Sequence, residues 1–137
     1  MDRVPILKIG DILLVSIQGD LDDETVLTLQ EDIAEKIVAT GAIGLIIDIT
    51  AVEIVDSFVG RMLSTIAGMA RMLDAETIVV GMRPAVAITL VELGLSLGGL
   101  RTALDLEKGI ALLNQRADAD RRTATDAPED DLSAVGP

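Results

Sequence analysis

No cysteine occurs in the 137 residues, so disulfides, thiolate nucleophiles and zinc–sulfur centres are excluded. Histidine is absent too, which removes the commonest general base and the commonest metal ligand. Aromatic side chains are almost missing: Phe58 stands alone, with no tryptophan or tyrosine. Apolar residues still make up 50% of the chain, so a core must be built from Ile, Leu, Val, Ala and Met. Positive charge is scarce. The 11 Lys and Arg against 23 Asp and Glu leave a net charge of −12 and a pI near 4.2. That balance argues against nucleic acid or an anionic membrane as partner and suits a basic protein partner.

Long hydrophobic runs are lacking as well. The longest uncharged stretch, Ile37 to Ile47, has 11 residues, and crossing a bilayer takes roughly 20. A mean hydropathy of +0.49 therefore reflects core-forming segments. The start, Met1-Asp2-Arg3-Val4-Pro5, has no basic-then-apolar secretory pattern. The chain reads as soluble and cytosolic.

What is present is a regular alternation of patterns. A single domain with one real core is expected at this length. Ile6 to Ile9 and Ile12 to Ile17 are apolar runs around the turn pair Gly10-Asp11, which predicts a hairpin. From Leu21 to Thr40 the period changes: Val26, Leu29, Ile33 and Ile37 fall on one helical face, with Asp22, Asp23 and Glu24 at the start and Gly41 after the end. Ile43 to Ile49 has the pattern of a strand buried on both faces. Phe58, Met62, Ile66, Met69 and Leu73 predict a second helix, and Glu76 to Gly81 another strand. Pro84 opens a third helix running to about Leu93 with Gly94 as its cap, Leu100 to Ala103 forms an edge strand, and Asp105 caps a fourth helix bearing Leu106, Ile110 and Leu113. This order predicts an α/β fold with a mostly parallel central sheet of four to five strands and about four helices packed on it. From Arg116 onward the apolar period stops, and a disordered tail is expected.

The chemically suggestive point is Asp56-Ser57, where an apolar strand gives way to a helix. Free backbone N–H groups and the positive end of the helix dipole both face outward there, and together they accommodate a phosphate. Serine is also a preferred N-cap, and Asp56 can be the cap in its place, so the local pattern leaves both roles open. Asp48, Glu53 and Asp56 put three carboxylates within nine residues at a strand end, which raises a magnesium or acid/base centre; only Ser57 and Arg61 are at hand to complete one. Gly94, Gly98 and Gly99 lack the Lys-Ser/Thr of a phosphate loop.

Three stretches carry a family resemblance: PILKIGDILLVSIQGDLDDETVLTLQEDI (Pro5 to Ile33), LIIDITAVEIVDSFVGRML (Leu45 to Leu63), and PAVAITLVELGL with TALDLEKGI (Pro84 to Ile110). Together they make residues 1–115 resemble a single STAS domain, the fold of anti-sigma-factor antagonists, and within it the stressosome antagonists of the RsbS type; residues 116–137 match nothing in the family core. The resemblance implies a regulator with no catalytic residues, metal or cofactor. It implies assembly, as a homo- or hetero-oligomer, with larger RsbR-type paralogues that carry an N-terminal sensory domain. It further implies capture of an RsbT-type serine/threonine kinase, release of that kinase on phosphorylation of Ser57, and a phosphatase that resets Ser57. Asp56, Phe58, Gly60 and Arg61 are then the partner-binding residues near the switch. Phe58 and Val59 follow Ser57 where sporulation-type antagonists have a small residue and glycine, which favours the stressosome branch. A stand-alone antagonist that binds an anti-sigma kinase is the alternative.

Overall fold

The computed structural model describes residues 4–18, 21–54, 56–92 and 100–119. The chain opens with the hairpin β1 (Ile6–Ile9) and β2 (Ile12–Ser16), in which Ile6 faces Val15 and Ile9 faces Ile12. Then follow α1 (Asp23–Thr40), β3 (Gly44–Asp48), α2 (Ser57–Met72), β4 (Glu76–Val80), α3 (Pro84–Glu92), β5 (Arg101–Ala103) and a last helix, α4, over residues 106–119. One sheet in the order β1-β2-β3-β4-β5 holds the described strands; β1 is antiparallel to β2, and the β2–β3, β3–β4 and β4–β5 pairs are parallel. Because β2 to β5 run the same way, α1, α2, α3 and α4 all start at the C-terminal edge of the sheet and run back toward its N-terminal edge.

Strand β3 lies at the centre, and Gly44 to Ile47 are buried on both its faces, as an unbroken apolar run requires. Leu13, Val15, Leu45, Ile47 and Val79 project into the larger core, where Val26, Leu29, Ile33 and Ile37 of α1 meet Met62, Leu63, Ile66 and Ala70 of α2 and Val86 and Leu90 of α3. The alternate residues Ile12, Ile46, Ile78 and Val80 face the other way and pack on Leu113, Leu106 and Ile110 of α4. That helix lies very close to the sheet: a Cβ on Gly44 would come within 2.6 Å of a Leu113 methyl. Branched aliphatic side chains thus fill both layers without help from aromatic stacking.

Helix boundaries follow their caps. Asp22 accepts the Thr25 N–H at 2.7 Å, so α1 begins at Asp23, two residues later than the apolar period suggests. The chain is also more helical at its end than expected. Helix α4 continues through 119, four residues past the predicted end of the domain at 115, and Arg116 pairs with Glu76 of β4 at 3.5 Å. Gly94, Gly98, Gly99 and the rest of the expected tail lie outside the described residues. Among the described residues, no helix is long and apolar enough to cross a membrane.

Candidate functional site at the start of the second helix

Helix α2 starts directly beyond the C-terminal end of the central strand. Its N-cap is Asp56, not Ser57: the backbone of Asp56 is extended, and its carboxylate accepts the Val59 N–H at 3.1 Å. Ser57 is therefore the first residue inside the helix. Aspartate and serine are both good caps, and the one that precedes the turn takes the position. With Val59 N–H engaged, the Ser57 and Phe58 N–H groups remain at the helix start without an intrahelical acceptor. The Ser57 side chain is half-buried beside them.

The neighbouring residues divide by face. Gly60 is buried, its N–H bonded to the Asp56 carbonyl at 3.2 Å, and the half-buried Phe58 ring packs against the main core. Asp56 and Arg61 are exposed. Arg61 stands one turn beyond Ser57 at i+4, the spacing at which helical side chains meet. Ile54, just ahead of the cap, is 86% exposed.

The three clustered carboxylates do not converge. Asp48 accepts both the Thr50 N–H (2.9 Å) and the Thr50 hydroxyl (2.5 Å), Glu53 pairs with Arg83 at 3.8 Å, and Asp56 caps α2. Among the described residues, no group of acidic side chains is placed to hold a metal ion. Proximity in sequence placed them at one sheet edge, and each is used there by a different local partner.

Sequence reasoning missed the residues that brace this corner. Arg83, from the β4–α3 connection, donates to the Thr50 carbonyl at 3.2 Å across 33 positions of sequence. Gly81 has φ +77°, and any Cβ there would collide with the Thr50 hydroxyl. The loop leading to Ser57 is thereby held from the adjacent strand, and only the isolated Gly81 in an apolar run gave any sequence signal of it.

The mixed sheet and the four described helices that return over it define an α/β domain with the start of α2 at the C-terminal edge of the sheet. The chain belongs to the STAS-domain family, whose pattern matches residues 3–108. It is similar to RsbS: a serine-to-glutamate variant of RsbS from Moorella thermoacetica is 44% identical, with a TM-score of 0.75 over 85% of this chain and 99% of that one. A chain from a structure of the stressosome, described as a signal integration and transduction hub, is also 44% identical, with a TM-score of 0.73 over 82% of this chain and 98% of its own. The RsbT co-antagonist protein RsbRD of Bacillus subtilis is 33% identical over 108 residues, 78% of this chain and 39% of the relative. The chain thus spans less than half the length of the curated relatives it matches. The antagonist SpoIIAA, at 16% identity and a TM-score of 0.65, shares the fold alone.

Proposed function

We propose that this chain is a non-enzymatic scaffold subunit of a cytoplasmic stressosome, and that Ser57 is phosphorylated by a captured RsbT-type serine/threonine kinase, which is thereby released. The observation that carries this reading is the position of Ser57: a half-buried hydroxyl at the first residue of α2 in a chain 44% identical to a solved RsbS. Relatives named as RsbT co-antagonists support an RsbT-type kinase as partner and an RsbR-type paralogue as co-subunit. Likeness to a stressosome chain supports assembly into a homo- or hetero-oligomer.

The physical account is one of charge. A phosphoserine adds about −1.5 to −2 charges at neutral pH, here to a chain already at −12. The new anion meets the open N–H groups of Ser57 and Phe58 and lies one turn from the Arg61 guanidinium, so the helix tolerates it. It also stands beside the Asp56 carboxylate, so a docked kinase would face about −2.5 to −3 charges there in place of −1. Losing ~3 kcal/mol of binding lowers affinity roughly a hundredfold, enough to free the kinase. A phosphatase that removes the phosphate restores capture.

Incubation with the cognate kinase, followed by mass spectrometry, tests the reading. Phosphate on Ser57, absent from Ser57→Ala, is expected; modification at other residues alone overturns it.

A further inference from the structure

A cleft lies at the end of the sheet opposite Ser57. It encloses about 530 Å³ between the end of α2, the first residues of β4 and the last described turns of α4, within the usual range of small-ligand sites. Asp11, Asp74 and Glu76 bring three carboxylates to its lining, against the two guanidinium groups of Arg71 and Arg116. Helix α2 also ends there, at Met72, so the negative end of its dipole adds to the field.

Two polar atoms in this lining are buried and have no hydrogen-bond partner among the described residues: Oγ1 of Thr77, a residue only 2% exposed, and Oε2 of Glu76. Arg101 and Arg116 each approach a Glu76 oxygen at 3.5 Å, an ion-pair distance that leaves Oε2 without a donor of hydrogen-bonding geometry. Buried acceptors left in this way lose their hydration without regaining a hydrogen bond. A ligand that carries donors supplies that bond.

Asp74 lines the same cleft. It follows the C-cap of α2 with φ +63°, the left-handed conformation that glycine adopts at the end of α1, where Gly41 has φ +68°. An aspartate there bears both a backbone cost and a carboxylate at the negative end of a helix, two local penalties that glycine would avoid.

We propose that this cleft binds a small organic cation, an alkyl amine or guanidinium compound. Asp74 and Asp11 attract its charged head, the buried Thr77 hydroxyl accepts an N–H on the α2 face of β4, Glu76 adds negative charge from the α4 face, and the alkyl chain lies along Ala67 and Ile43. The carboxylates are not placed to chelate a metal ion, and a donor-rich ammonium or guanidinium head matches the orphaned Thr77 hydroxyl. The proposal does not depend on Ser57.

The full-length protein, titrated with putrescine and with agmatine at constant ionic strength while backbone amide resonances are followed, tests it. Saturable shifts at Ala75, Glu76, Thr77 and Leu113 are expected. Asp74→Gly should raise the unfolding temperature yet weaken binding about tenfold, and Glu76→Gln should weaken it comparably. Shifts reproduced by sodium chloride, shifts spread over the acidic surface, saturation by glutarate in place of the amines, or unchanged affinity in Asp74→Gly would each overturn the proposal.

Discussion

Arg83 and Thr50 tie two neighbouring strand ends together: the guanidinium Nε donates to the Thr50 carbonyl at 3.2 Å, and its far nitrogen reaches Glu53 at 3.8 Å. Both anchors lie on the segment that feeds Ser57 into α2. Because Arg83 is about half exposed, Arg83→Ala should cost under ~1 kcal/mol of global stability. It should nevertheless speed amide exchange over residues 50–54. Unchanged exchange there would show that the loop holds its shape without the strap.

Gly81 makes the same corner intolerant of a side chain. Gly81→Ala demands a positive φ of alanine and drives its methyl into the Thr50 hydroxyl. A loss of at least ~2 kcal/mol is expected in urea unfolding, with the Asp48–Thr50 hydrogen bonds broken first.

The cap assignment at α2 separates two adjacent substitutions. Asp56→Ala removes the acceptor of the Val59 N–H and should destabilise the domain by ~1 kcal/mol, whereas Asp56→Asn should retain most of that contribution. Ser57→Ala, one residue inside the helix, should change stability by less than ~0.5 kcal/mol. Thermal unfolding distinguishes the two, and a larger loss from Ser57→Ala would mean that the serine is the cap.

Kinase capture should follow charge at Ser57. Ser57→Ala is expected to hold an RsbT-type kinase through repeated exposure to ATP, and Ser57→Asp to bind it more weakly than wild type. Equal affinity of the two variants in a titration contradicts release by charge. Light scattering of the chain mixed with an RsbR-type paralogue should report megadalton particles; a small species would favour the stand-alone antagonist.

Acid stability carries a defined sign. The hydrogen bonds that Asp22 accepts from the Thr25 backbone and side chain hold its carboxyl below the usual range. The folded state therefore binds the proton less readily than the unfolded chain. The contribution is complete above the unfolded value of about 4 and disappears as pH falls through the lower folded value. Asp22→Asn should flatten that part of the stability profile, measured at low salt.

The sheet and helices were legible because single faces carry unbroken periods: Val26, Leu29, Ile33 and Ile37 all turn out buried on α1. The doubly covered strand was legible for the same reason, since Leu45, Ile46 and Ile47 offer no polar face. The cap of α2 was not decided, because Asp56 and Ser57 compete chemically for one position and only the backbone turn chooses. The end of α4 was missed because an ion pair with Glu76, forty residues earlier, draws Arg116 into the fold. The Arg83 strap and the opposite cleft join segments from remote parts of the chain, and no local pattern encodes such meetings.

The shared starting edge of the four helices has a further consequence. The dipoles of these four described helices point the same way, so their positive ends gather at one edge of the sheet and their negative ends at the other. Negative charge placed at Ser57 would meet the positive end of α2, and an identical serine moved to the far end of that helix would meet a field of the opposite sign.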